Sequence, residues 1–247
     1  MLVLGVNQDT TLGEVKMYSS MELENKQIIN ILRVGANVSI VQSILFFVIA
    51  ATGLALGVDN FVQNRISYLA VEDPILFSVF CSTFVLIAIL GVAITPAEKV
   101  LIQDCDRGLA IFGSNLALLG HKGTIFFFSW WIFYVLSRQS LPDDLHLADV
   151  LMPIRWGIMF ELFFVGLWVW IIAYLSFKHH LFSFRFRLLS IGKAISFWFT
   201  LGAFIFNNEV AVLLGLGFSA ALFGPVWHAW IAIILRNRCK ELRGIHE

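Results

Sequence analysis

The chain has 247 residues, of which 59% are hydrophobic, 15% aromatic and only 14% charged, with a formal net charge of zero. Soluble domains carry about 25% charged residues, and a core of this size cannot hide so much apolar surface. Lipid is therefore expected as the solvent for much of the chain, and a nucleic-acid binder with a broad basic face is excluded.

Residues 1–33 are polar and mixed, with Asp9, Glu14, Glu22 and Glu24. They contain no apolar h-region, so no cleavable signal peptide is expected. Glu22–Arg33 is predicted to form a short helix leading into the membrane, on the cytoplasmic side.

Two apolar runs follow, Val34–Gly57 and Ile75–Thr95, the second closed by Pro96. Each approaches the roughly 20 residues that an α-helix needs to cross about 30 Å of hydrocarbon. Residues 97–115, with Glu98, Lys99, Asp104, Asp106 and Arg107, read as an interfacial helix before the third span. That span is predicted over Leu116–Leu136, with an uncertain start because Gly120-His121-Lys122-Gly123 interrupts it. An acidic connection with Asp143, Asp144 and Asp149 leads to the fourth span, Trp156–Phe177. The basic stretch KHHLFSFRFR introduces the fifth, Leu188–Phe206. Asn207-Asn208-Glu209 turns the chain into the sixth, Val210–Leu235, and residues 236–247 form a basic tail.

The predicted fold is all-α, a polytopic single-domain bundle of six transmembrane helices. The runs are continuous and about twice as long as the ten-residue alternating segments of a β-barrel. Positive charge sets the orientation. Lys16, Lys26, Arg33, Lys99, Arg107, Lys122, Lys178, Arg185, Arg187, Lys193, Arg236, Arg238, Lys240 and Arg243 fall on one side, and only Arg65, Arg138 and Arg155 on the other. The chain is therefore expected in the cell (inner) membrane with both termini in the cytoplasm, and the outer face carries Asp59, Glu72, Asp73, Asp143, Asp144, Asp149 and Glu209.

Ionisable residues within spans are costly, so each is a functional candidate. Glu161 lies about two turns into the fourth span, where it binds a cation or proton, pairs across helices, or simply meets water at headgroup depth. His228 sits in GPVWHAW, after Pro225 and between Trp227 and Trp230. Proline removes one helical hydrogen bond and leaves the Ala221 carbonyl without its usual partner. A ligand pocket and a plain packing kink are both compatible with that pattern. His121 and His228 together make a bis-histidine site conceivable, for haem, a pigment or a quinone. Lys193 reads as a side chain that snorkels to the headgroups. Gly53 with Gly57, and Gly217 with Ala221, are small pairs suited to close helix approach.

No P-loop, GxSxG elbow, HExxH or paired in-span carboxylates occur, and the three cysteines form no CxxC. The segments DCDRGLAIFGSNLALLG, FKHHLFSFRFRLLSIGKAISFW and FGPVWHAWIAIILRN resemble a family of uncharacterised bacterial six-span membrane proteins. That resemblance implies the six-span architecture but no reaction.

The leading functional expectation is an integral-membrane accessory or interaction subunit without catalytic activity, in contact with lipid and other membrane proteins or its own copies. The alternative is a small-solute or ion transporter with Glu161, Glu209 and the Pro225–Trp227–His228–Trp230 segment along the path. The third is a haem-, pigment- or quinone-binding subunit.

Overall fold

The computed structural model describes residues 8–55, 74–137, 156–206 and 208–244. All of the regular structure among them is helical. Helix α1 spans Gln8–Ala55, α2 Pro74–Ile102 and α3 Arg107–Ser137. Helix α4 covers Trp156–His179 and includes a π-helical turn at Glu161–Val165. Helix α5 is Phe184–Ile205. Helix α6 comprises Glu209–Gly217, a π-helical turn at Phe218–Phe223, and Gly224–Gly244.

Long uninterrupted apolar runs become helices because a lipid-exposed backbone must satisfy its own hydrogen bonds. Polar side chains mark the starts. Asp106 accepts from the Leu109 amide at 2.9 Å, opening α3. Ser183 does the same for α5 and Asn208 for α6, accepting from Phe186 and Ala211. His180, at a left-handed φ of 52°, ends α4 with its amide on the Ser176 carbonyl.

Among the described residues, five helices are long and apolar enough to cross a membrane: Asn25–Ala55, Ile75–Ile102, Trp156–His179, Phe184–Ile205 and Val210–Gly244. Their outward surfaces are apolar; Ile75 is 79% exposed and Phe206 83%. Polar residues instead collect inside. This inversion of a soluble protein's pattern fits a protein embedded in lipid.

The helices close into a ring in chain order, each packed on its neighbours, with α1 against α6. Two apolar clusters fill it. One contains Phe77, Phe80, Phe128, Ile158, Leu162 and Leu201; the other contains Leu32, Ile94, Ala117, Ile172, Trp227 and Leu235.

Several boundaries differ from those read in the sequence. The polar segment before residue 34 is not a short separate helix, because α1 runs unbroken from Gln8. Pro96 does not close the second span; α2 passes through it to Ile102. The Thr95 hydroxyl donates to the Gly91 carbonyl at 2.7 Å, a side-chain bond of the kind that eases proline into such helices. Residues 97–115 form no element of their own. Their first part ends α2, their last part opens α3, and α3 then continues through His121 and Gly123.

The expected small-residue contacts also move. A Cβ at Gly217 would meet nothing within 4 Å, and one at Gly53 would make only an ordinary contact with Phe80. Gly57 lies outside the described residues. The close approaches occur instead at Gly113, which faces Trp168, and at Gly35, which faces Ala97.

Candidate functional site

Five ionisable side chains from five helices meet inside the ring. Glu98 comes from α2, His121 from α3, Glu161 from α4, Lys193 from α5 and His228 from α6. Helix α1 contributes Phe46, whose ring stacks on His228 at 5.2 Å.

Glu161 sits in the π-turn of α4, with its side chain 16% exposed. His121 Nδ1 lies 2.9 Å from Glu161 Oε1, an ion-pair distance without hydrogen-bond alignment. The Thr124 hydroxyl is 2.9 Å from Glu161 Oε2 and 3.1 Å from the Gly157 carbonyl, so its one proton is shared between the two oxygens. Gly91 makes room for His121: a Cβ there would overlap the imidazole.

Lys193 comes from the neighbouring helix α5. It is 2% exposed, with Nζ 3.2 Å from His228 Nε2 and 3.7 Å from the centre of the Trp227 ring. The Trp227 indole N–H donates to Ser190 Oγ at 3.0 Å, which fixes that ring beneath the ammonium. With Lys193 charged and donating, His228 Nε2 accepts, and the neutral imidazole keeps its proton on Nδ1. That nitrogen is buried and has no hydrogen-bond partner.

Glu98 is 4% exposed and accepts from the Trp168 indole N–H at 2.6 Å. Lys193 lies within electrostatic reach of both Glu98 and Glu161. The five groups are therefore one electrostatic unit. Along α4 it extends from Glu161 to Trp168, about 10 Å at 1.5 Å per residue. Burial of this much ionisable chemistry requires near-neutrality.

The candidates read from sequence separate into groups. Glu161, His121, Trp227 and His228 come together in the unit. Pro225 follows the π-turn at Phe218–Phe223, where the Gly224 amide reaches the Ser219 carbonyl, and its own carbonyl accepts from Ser43 Oγ at 2.9 Å. Trp230 lies apart. It lines a 430 Å³ cavity with Asp104, Cys105 and Arg238 at the end of the ring, and packs on Phe186. Glu209 begins α6, but its side chain lies outside the described residues.

The sequence left a site shared by the two histidines conceivable. Each instead has its own ionisable neighbour, Glu161 for His121 and Lys193 for His228. Lys193 does not snorkel to the headgroups, because its ammonium turns inward onto Trp227 and His228. Sequence reading missed Lys193 and Glu98 as members of the site. The signal was present for Lys193, an ionisable residue in an apolar run. Glu98 carried none, because only the passage of α2 through Pro96 brings it inside.

Comparison with protein-family models, with characterised proteins and with solved structures gave no match. The chain is thus defined by its own features: a ring of helices with membrane-crossing character, closed around a buried ionisable cluster.

Proposed function

We propose that the protein is a six-span, proton-coupled transporter of the inner membrane, with both termini in the cytoplasm. The sixth span is α3, a continuous 31-residue helix packed between two helices of crossing length. The orientation rests on the lysine and arginine bias, which survives the move of Lys193 from the inner face to the interior. The observation that carries the reading is the gathering of five ionisable side chains from five helices inside the bundle. Apolar packing alone has no use for two carboxylates, an ammonium and two imidazoles inside a bundle, each costly to insert.

The geometry suits proton exchange. His121 Nδ1 and Glu161 Oε1, 2.9 Å apart, are within reach for direct transfer. Glu161 and Glu98 lie toward opposite ends of the unit, with Lys193 and the imidazoles between them. A proton held at Glu161 or His121 neutralises the outer part of the unit, and one held at Glu98 the inner part. The alternation gives a proton two stations along the axis.

The test is acidification of proteoliposomes that contain a pH-sensitive dye, under an imposed potential. Wild-type protein is expected to conduct protons, and Glu161→Gln to lose at least about tenfold of that flux. Equal flux from wild type, Glu161→Gln and empty vesicles overturns the reading.

An accessory subunit without its own activity is the second reading. Phe126, Trp130 and Phe133 of α3 favour it, forming an exposed aromatic face suited to a partner helix. Stable co-purification with a larger membrane complex, together with absence of flux, supports it.

A further inference from the structure

Both π-turns line a single cavity. Its volume is about 60 Å³, and its walls include Glu161 and Thr124 on one side and Ser219 on the other, closed by Phe46, Phe84 and Phe197. The sites of drug-sized ligands occupy roughly 300–1,000 Å³, so a sugar, peptide or pigment does not fit. One methylammonium-sized molecule, or a few waters, does.

The polar chemistry of the cavity is one-sided. The Glu161 oxygens accept only, and each keeps a lone pair beyond its contact with His121 or Thr124. The Thr124 proton is committed to Gly157 and Glu161, and the Ser219 proton to the Gly215 carbonyl. Both hydroxyls are left with acceptor lone pairs. Three acceptors therefore border the space, and none of them has a free donor. The remaining walls are apolar, the rings of Phe46, Phe84 and Phe197 beside aliphatic side chains that include Ile87, Leu162 and Ala220. Anions and neutral acceptors are disfavoured by the Glu161 carboxylate. A bare sodium ion would find too few oxygens and too much apolar carbon.

From this we propose that the cavity binds a small primary ammonium ion, ammonium or methylammonium in size, with its N–H groups on Glu161, Thr124 and Ser219. The proposal rests on the transport reading and names its substrate class. It also supplies a coupling rule. The Glu161 oxygens that accept the ammonium N–H groups are the same atoms that would carry a proton, so amine and proton compete there. Amine binding at Glu161 therefore displaces any proton held on that carboxylate.

The experiment is isothermal titration of the purified protein in nanodiscs with methylammonium chloride, in buffers of differing ionisation enthalpy. Sodium chloride and acetamide serve as the ionic and neutral controls. Saturable methylammonium binding with release of up to about one proton is expected, and no binding of acetamide. Glu161→Gln is expected to weaken binding by about tenfold or more. Ala220→Leu fills the cavity while leaving all five ionisable groups in place, and is expected to abolish binding. It decides the matter where Glu161→Gln fails to fold. Absence of saturable binding overturns the proposal, as does equal affinity for sodium or full binding by Ala220→Leu. Proton flux without amine binding overturns the amine site and leaves proton transport standing. Amine binding without flux does the reverse.

Discussion

Glu98 is the residue on which the buried unit most depends for its stability. Its partner is an indole rather than a formal cation, so the carboxylate is held by one short hydrogen bond and by the more distant charge of Lys193. Trp168→Phe keeps the ring and removes the donor. The variant should lose about 1–3 kcal/mol, read as a shifted midpoint on unfolding in mixed micelles. Lys193→Met is the harsher change. It leaves two carboxylates with only the imidazoles to balance them, and should cost about 3–5 kcal/mol, as breaking a buried ion pair does. Adding Glu98→Gln to Lys193→Met should recover part of that loss, because a buried negative charge is removed with the positive one. Additive losses in the double variant would show that Glu98 and Lys193 are not energetically linked.

At the scale of elements, the two π-turns do what ordinary α-helix would not. Each widens the backbone by one register at the level of the cavity, and each places a polar residue there, Glu161 from α4 and Ser219 from α6. Such turns recur at functional sites. The one in α6 has an identifiable cause. Pro225 has no amide to give the Ala221 carbonyl, and the preceding turn opens. Pro225→Ala restores the donor and should let the turn tighten toward regular α-helix. Stability should change by no more than about 1 kcal/mol, while methylammonium binding is lost as Ser219 rotates from the cavity. Retained binding with a tightened turn, seen by amide exchange at Ala221–Pro225's neighbours, would separate the turn from the site.

The sequence announced Pro225 as a kink but gave no sign of the turn at Glu161–Val165, where no proline stands. Span positions were legible because hydrophobic continuity is a local property. The passage of α2 through Pro96 was not, because it depends on Thr95 and on packing against α3 and α1. The membership of Lys193 was hidden for a related reason. A lysine near the end of an apolar run reaches headgroups or interior equally well in sequence, and only Trp227 and His228 on another helix decide which.

At the scale of the whole molecule, the proposed orientation is one that the cysteines can report. The chain has three cysteines. Cys81 and Cys239 are buried, whereas Cys105 is partly exposed in the short connection between α2 and α3. With cytoplasmic termini, that connection faces the cytoplasm. Burial, and then the neighbouring Asp104 carboxylate, push the Cys105 thiol above its ordinary value. A raised value leaves less thiolate at a given pH, and the thiolate is the nucleophile. A membrane-impermeant maleimide should therefore modify Cys105 more slowly than a free thiol at neutral pH, and faster as the pH is raised. Labelling should occur in inside-out vesicles and be absent in sealed right-side-out ones, and Cys105→Ser should abolish it in both. Modification from the outer side would invert the molecule. The proton stations at Glu161 and Glu98 would then exchange sides of the membrane, while the chemistry of the cavity between the π-turns would stay the same.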